Sequence, residues 1–381
     1  MSDTYPWEQY PLHELEEKGI ATLGRGNIIS KKDIQSNPGG FPIYSSSAKG
    51  EGLFGTYGDY MFDDEMITWS VDGGGNLFYR PRHKFSVTNV SGYMRLDTSV
   101  LDYRFAHASL ALQHSKLTFD YQTKAHPSVI RNLYHLPIPP LPEQKKIAEI
   151  LSGIDNAISI KKQARIDLEA TREAICKELI QNRDWNEEKV GGLTTHMTNG
   201  FVGTATPHYR ERGIRYLTSK NIRRDRIDPR KMIYISEEFH KANQKSSLSV
   251  GDVLMVQSGH IGTTAVVTDE YKDCNCHALI LMRFNQEQLD PHYASLYFNS
   301  TTGRTRLSDI FVGSTVKHVN TGDLRKFKIP LPPLGVQKEI ANRVNAIDRL
   351  LGQRGVQIEK LVILKQAISS DLLSGRKRVS I

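Results

Sequence analysis

The run Cys274-Asn275-Cys276-His277 sets two thiols and an imidazole within four residues, the donor types that a zinc ion takes. No second ligand pair of that kind occurs elsewhere, and the run opens the apolar stretch HALILMRF, so small buried thiols beside a strand are the expectation. Glu143-Gln144-Lys145 and Glu187-Glu188-Lys189 resemble half of a nuclease Glu-x-Lys, but neither follows a partner Asp at the end of an expected strand. Gly73-Gly74-Gly75 lacks the strand-loop-helix spacing of a cofactor fingerprint and reads as a tight turn. There is no Gly-x-x-x-x-Gly-Lys-Ser/Thr loop, no Asn/Asp-Pro-Pro-Tyr/Phe of the amino-methyltransferases, and no His-x-x-x-His among thirteen histidines. A chain without a catalytic site is expected.

Polyanion binding is better supported. The segment 219–231, SKNIRRDRIDPRK, concentrates Lys220, Arg223, Arg224, Arg226, Arg230 and Lys231, enough to neutralise several phosphates. SGHIGTTAV (258–266) reads as a turn between two strands, with Gly259 and Gly262 allowing close backbone approach. GSTVKHVN (313–320) has the same polar character, as do YSSSAKGEG (44–52), RPRHK (80–84) and QTKAH (122–126) nearer the N-terminus. The formal charge of +8 is unevenly spread: −2 over residues 1–141, +1 over 142–183, +4 over 184–334 and +5 over 335–381. Nucleic-acid binding in the first part would therefore need a local patch rather than a global field.

The elements that position these residues are duplicated. IPPLPEQKKIAEIL (138–151) recurs as LPPLGVQKEIANRV (331–344), and setting Gln144 over Gln337 fixes an offset of 193, about half of the 381 residues. Steps of four and three then run through Ile147, Leu151, Ile154, Ile158, Lys161, Arg165, Leu168, Arg172, Ile175 and Leu179. The second copy steps through Ile340, Val344, Ile347, Leu351, Arg354, Ile358, Leu361, Lys365, Ile368 and Leu372. These are the heptad seams of two helices that pack lengthwise, each following an extended Pro-Pro-Leu. Pro142 and Glu143 suit the first turn of one helix, and Gly375 suits the C′ position of the other. Weaker repeats precede them: MITWSVDGG (66–74) lies over LMVQSGHIG (254–262) at offset 188, and LDYRFAHASL (101–110) over LDPHYASLYF (289–298), with Asp102 or Asp290 placed to cap a helix. A first helix of about 40 residues spans ~60 Å at 1.5 Å per residue, so the second can bury its seam only by running back along it. The expected fold is α/β (α+β), with two globular domains separated by a long antiparallel two-helix coiled coil and related by a pseudo-two-fold internal duplication. The expected segments are a domain over 1–138, a spacer helix over 139–183, a domain over 184–331, a partner helix over 332–375 and a basic tail over 376–381.

The whole pattern resembles the specificity (S) subunits of type I restriction-modification systems. The twin PIPPLPEQKKIAEIL and PLPPLGVQKEIANRV segments look like that family's two helical regions. IRYLTSKNIRRDRID, YISEEFHKANQKSSLSVGDVLMVQSGHIGTTAVV and LRKFKIPLPPL are similar to its target-recognition domains. FPIYSSSAKGEG and MITWSVDGGGNLFYRPRHKFSVTNVSGYM look like another version of that domain. The resemblance implies that each domain reads one half of a bipartite double-stranded DNA site while the helices set the unread spacer. It also implies two methyltransferase (M) subunits that modify adenine with S-adenosylmethionine, and nuclease-translocase (R) subunits that use ATP and Mg²⁺. No cofactor is then expected on this chain. One departure stands out: where the first copy has Glu143, the second has Val336 after Gly335, so the start of its helix or its M-subunit contact differs.

On that reading the candidate DNA-binding residues are Lys220, Asn221, Arg223, Ser258, His260, Thr263, Lys317 and His318 in the second domain. In the first they are Ser46, Lys49, Ser70, Asp72, Arg80, Arg82, Lys124 and His126; Asp72 is included because a carboxylate accepts from cytosine N4. The basic seam residues Lys161, Arg172, Arg354 and Lys365 either set helix register or meet acidic residues of the M subunits. A non-DNA-binding coiled-coil scaffold and an inactive relic are the competing readings. The sequence has no run of 18 apolar residues, and its N-terminus MSDTYPWEQYPLHELEEKG has neither a basic n-region nor an apolar h-region, so a cytoplasmic protein without a membrane is expected.

Overall fold

The computed structural model describes residues 6–46, 50–72, 75–117, 125–181, 184–313 and 317–380. Two compact units divide the chain, one made of Met1–Lys162 with Val356–Ile381 and the other of Gln163–Gly355. Each takes one globular domain and part of each long helix, Leu141–Cys176 and Leu334–Leu373.

The first unit is built on a six-stranded sheet in the order Ala21–Arg25, Ser91–Leu96, Phe62–Ser70, Leu77–Val87, Phe41–Tyr44, Leu53–Tyr57. All neighbours are antiparallel except Phe41–Tyr44, which runs parallel to Leu77–Val87. The strand Phe62–Ser70 is central and covered on both faces, so Met66 to Ser70 are all buried and the polar-apolar alternation of a half-exposed strand is lost. Helix Tyr103–His114 starts where Asp102 accepts from the amides of Arg104 and Phe105, both at 3.0 Å. It has two apolar faces: Ala106 and Leu110 pack on the sheet, and Phe105 packs with Ile147, Ala148 and Leu151 of the first long helix.

The second unit repeats the heart of that sheet. Thr194–Asn199, Leu279–Phe284, Val253–Val256 and Thr264–Val266 form an antiparallel sheet in the order shown by the first four strands of the other unit. A second sheet, Tyr209–Arg210, Ile233–Ile235, Ile214–Leu217, Asn275–Cys276, and a two-stranded hairpin, Ile222–Arg223 with Arg226–Ile227, are its own additions. Helix Pro291–Asn299 is capped by Asp290, which accepts from the Tyr293 amide at 3.0 Å.

The repeated motif does the same work in each unit. Gln144 is fully buried; its Oε1 accepts from the Asp102 amide at 2.8 Å, and its Nε2 donates to the carbonyls of Val100 and Pro139, both at 2.8 Å. Gln337, also fully buried, accepts from the Asp290 amide at 2.8 Å and donates to Gln288 O at 2.9 Å and Pro332 O at 2.8 Å. A glutamine is needed because one side chain must both accept and donate, and the extended Pro-Pro-Leu supplies a carbonyl that no helix consumes. The same joint carries a short strand pair each time, Gln9–Pro11 with His135–Pro137 and Glu187–Lys189 with Lys328–Pro330.

The long helices run antiparallel. In the first unit Lys161 Nζ donates to Gln357 Oε1 at 3.0 Å and Lys365 Nζ to Asp155 Oδ1 at 2.5 Å, so residue numbers rise on one helix as they fall on the other. In the second, Arg172 donates to Asp348, and Cys176 and Ile180 share a core with Ile340, Ala341 and Val344. Ile147, Leu151, Ile158, Ile340, Val344 and Leu372 are buried, and Ile154, Leu168, Ile175, Leu179, Ile347, Leu351, Ile358, Leu361 and Ile368 half-buried. The strongly exposed aliphatics Ile160, Ile166, Val356 and Ile363 lie off those heptad steps.

The Glu143/Val336 difference has a local cause. Glu143 is fully buried and accepts Arg378 Nε at 2.6 Å and Nη2 at 2.7 Å, so it needs the C-terminal tail; Val336 packs against the apolar core of its own unit. Gly375, after the second helix, is left-handed (φ +72), and a Cβ there would run into Pro6. The first and last described segments thus meet beside Trp7, over which Arg378 lies 5.4 Å from the ring centroid.

Candidate nucleic-acid interface

In the second unit the loop between Val253–Val256 and Thr264–Val266 is a hub. Gly259 (φ +82) and Gly262 (φ +77) turn it through conformations that L side chains rarely adopt. His260 Nε2 lies 3.2 Å from the Ile222 carbonyl of the basic hairpin. Thr263 Oγ1 donates to His260 O at 2.8 Å and accepts from Arg304 Nη1 at 3.1 Å, while Gln257 O accepts from the Val319 amide at 3.3 Å. Those bonds bring Ser258, His260 and Thr263 together with Arg223 of the hairpin and with Val312 and His318, which bridge to each other, next to the exposed Lys317.

Not every cation of 219–231 is available to phosphate. Arg230 forms a bidentate pair with Asp228 at 3.0 and 2.8 Å, holding that carboxyl well below the usual carboxylate range, and Arg223 lies 3.7 Å from the same group. Arg224 pairs with Glu173 at 2.5 Å. Lys220, Arg226 and Lys231 are exposed and make no ion pair among the described residues. Asn221 is fully buried: its Oδ1 accepts from the amide and hydroxyl of Thr218 at 3.0 and 3.1 Å, and its Nδ2 donates to Asp228 O at 3.1 Å. It shapes the turn and presents nothing to a base edge.

Arg304, on the helix Thr301–Ser308, is a site residue that the sequence reading passes over. Burial and the nearby Arg224 charge hold its guanidinium below the ordinary value, the condition of a cation that gains from a neighbouring anion. Its setting, TTGRTRLSD, reads as an ordinary polar helix, and only the hydrogen bond to Thr263 places it at the loop.

In the first unit Ser70 and Arg80 point inward. Ser70 Oγ donates to Ser46 O at 2.9 Å. Arg80, 2% exposed, donates to Thr68 Oγ1 at 3.1 Å and Glu51 O at 2.5 Å and lies 3.6 Å from the Tyr44 ring centroid; burial pulls its pKa down. Ser70 thus holds Ser46 and Arg80 holds Glu51, both through backbone carbonyls. Asp72 is exposed. Arg82 is exposed, 3.8 Å from Asp63, and lines a different cleft with Asp64, Glu65 and Arg95, where acidic neighbours disfavour phosphate. His126 caps the helix Pro127–Leu133, accepting from the Ser128 amide at 3.3 Å. Lys49 and Lys124 lie outside the described residues, as do Gly73 and Gly74.

Cys274 and Cys276 are buried, and burial pushes their thiols up to about 11 and about 12. Among the described residues no group of three His, Cys, Asp or Glu is disposed to hold a metal ion, and no helix is long and apolar enough to cross a membrane.

Comparison with known proteins extends over most of the chain. Residues 6–170 and 182–360 match the family described as Type I restriction modification DNA specificity domain. The specificity subunit of a type I restriction enzyme from Methanocaldococcus jannaschii is 24% identical over 343 residues, covering 83% of this chain and 80% of that protein. A putative type I specificity subunit of Mycoplasma pneumoniae is 34% identical over 150 residues, 38% of this chain and 48% of the relative's length. Among solved structures, the type I restriction-modification S subunit from M. genitalium aligns with a TM-score of 0.67 at 13% identity, over 98% of this chain and 97% of its own, a likeness of fold.

Proposed function

The chain belongs to the family of type I restriction modification DNA specificity domains, and from that membership we propose that it is the non-catalytic reader of a bipartite double-stranded DNA target. One globular domain reads each half-site. The long helices set the unread spacer and dock two M subunits, which carry S-adenosylmethionine; R subunits bring ATP and Mg²⁺ and complete the restriction complex. The cytoplasm, where the DNA lies, is its place of action.

The observation that carries this reading is the repeated joint. Gln144 and Gln337 fasten equivalent cap loops to equivalent helix starts, and the same four-strand order precedes each. Two readers of related build in one chain fit a target written as two halves. The second reader carries exposed Lys220, Arg226, Lys231 and Lys317 as well as exposed Ser258 and His260. That mixture suits backbone contacts that position and polar contacts that specify.

The test is co-expression with the M subunit and mapping of adenine methylation on plasmid DNA by single-molecule sequencing. A bipartite motif of fixed spacer, of which one half alone changes when residues 1–135 are exchanged for another domain, is the expected result. A soluble complex that leaves DNA unmethylated and binds it with no salt dependence would favour a scaffold without a DNA role.

A further inference from the structure

Asp225 sits inside the most basic stretch of the sequence, between Arg224 and Arg226, yet its side chain is 8% exposed. It occupies the tip of the hairpin Ile222–Arg223/Arg226–Ile227 with φ +58, a left-handed conformation that Asp tolerates better than most residues. Its amide donates to Thr264 O at 2.9 Å. Its Oδ1 accepts from Ser295 Oγ at 2.8 Å and Asn299 Nδ2 at 2.7 Å, both on the helix Pro291–Asn299, and its Oδ2 accepts from Arg172 of the first long helix. Arg172 in turn donates to both oxygens of Asp348 on the second long helix, at 2.7 and 3.1 Å. One buried carboxylate therefore joins three parts of the second unit: the cation-bearing hairpin, the globular domain's own helix and the helix pair.

The first unit holds the matching ion pair without the matching tie. Asp155 and Lys365 correspond to Asp348 and Arg172 at offset 193, and His107 corresponds to Ser295 at offset 188. There Asp155 borders a cavity of 240 Å³ that Tyr79, Arg104 and His107 also line, and no hairpin carboxylate enters it among the described residues. The Asp225 contact is thus an addition of the second reader, not a requirement of the helix pair.

We infer that Asp225 is a positioning residue for the second half-site, fixing the distance from the hairpin's exposed cation Arg226 to the helices that measure the spacer. This rests on the DNA-reading function proposed above. Released from Arg172, the hairpin can shift against the helices while its own sequence-reading side chains stay intact, so the effect falls on spacing rather than on base identity.

The test uses the full chain co-expressed with its M subunit and plasmids carrying the mapped target with its native spacer or a spacer one base pair shorter or longer. Asp225→Asn keeps the shape and the left-handed backbone but removes the charge that holds Arg172. The expected result is that preference for the native spacer falls by up to roughly a hundredfold, the scale of loss for a misplacement of about 1 Å, while discrimination against single-base mismatches in either half is unchanged. A wild-type spacer preference in Asp225→Asn overturns the inference, and so does equal loss across all spacers and mismatches, which marks a structural role alone. Should that variant yield no soluble complex, Arg172→Lys, which keeps the charge but loses the fork, is judged by the same criteria. Wild-type complex without a bipartite motif would instead sink the underlying function, so the two failures are distinguishable.

Discussion

Asp348 accepts Arg172 through both carboxylate oxygens, and 193 residues earlier Asp155 accepts Lys365 in the corresponding place. The two pairs differ in burial. The Arg172 side chain is 6% exposed, against 36% and 53% for Lys365 and Asp155. Burial alone would lower the Arg172 pKa, but the hydrogen bond it donates to Asp348 and the charge of Asp225 hold it above the ordinary arginine value. An exposed pair is worth about 0.2–1 kcal/mol, whereas removing one partner of a buried set costs about 3–5 kcal/mol because a charge is left behind. Arg172→Met is therefore expected to destabilise the protein severely and Lys365→Met barely, by denaturant unfolding; equal losses would contradict this. Charge reversal at both sites that spared stability and M-subunit co-purification would remove any role for them in register or docking.

The glutamine joints make a paired prediction. Gln144→Ala and Gln337→Ala each strand a buried amide and two buried carbonyls, at roughly 1–3 kcal/mol for each group left unsatisfied. Because the bonds are the same in number and agree in length to 0.1 Å, the two variants should lose similar stability, and Glu at either position should not restore it, since a carboxylate cannot donate to two carbonyls. Rescue by Gln144→Glu at neutral pH would overturn the assignment.

Much of the architecture is legible in the sequence, and the reason is periodicity. Heptad steps and the Pro-Pro-Leu-x-x-Gln repeat are local patterns, and a duplicated chain displays each twice. Polar residues on loops carry no such signal. Ser70, Arg80 and Asn221 have the composition of an exposed binding surface, but their partners Ser46, Glu51 and Asp228 are backbone carbonyls set by the fold. Asp225 was masked by four arginines around it, and Arg304 by a helix of ordinary polarity, because what distinguishes each is a contact with an element 40 or more residues away.

The thiols give a chemical test. Burial pushes Cys176 and Cys274 up to about 11 and Cys276 up to about 12. At pH 8 the folded protein should leave all three unmodified by an aromatic disulfide reagent on the timescale of minutes, and unfolding should release three equivalents. Rapid reaction of any thiol in the native state would contradict the buried placement.

Histidine burial sets a pH dependence. His107 is held below the ordinary value of 6.5 by burial, partly offset by the Leu77 carbonyl, and burial also lowers His114 and His277. The unfolded chain then binds protons more readily than the folded one, so this contribution to stability is complete above pH 6.5 and is lost as pH falls below it. Melting temperature should decline from pH 7.5 to pH 5.5, with a shallower decline in His107→Gln; identical slopes would exclude His107 as a source.

Truncation probes the tail. Removing residues 378–381 leaves Glu143 buried without Arg378, so the melting temperature should fall, and Glu143→Gln in the truncated chain should recover part of it. No recovery would mean that the tail acts through Trp7 packing alone.

Each glutamine joint grips its domain only through main-chain atoms: the amide of Asp102 and the carbonyl of Val100 in one case, the amide of Asp290 and the carbonyl of Gln288 in the other. Every polypeptide carries those atoms whatever its side chains. A foreign domain whose loop follows the same path would plug into the socket with no matching substitutions, so the joint itself places no limit on how often a lineage trades one globular domain for another.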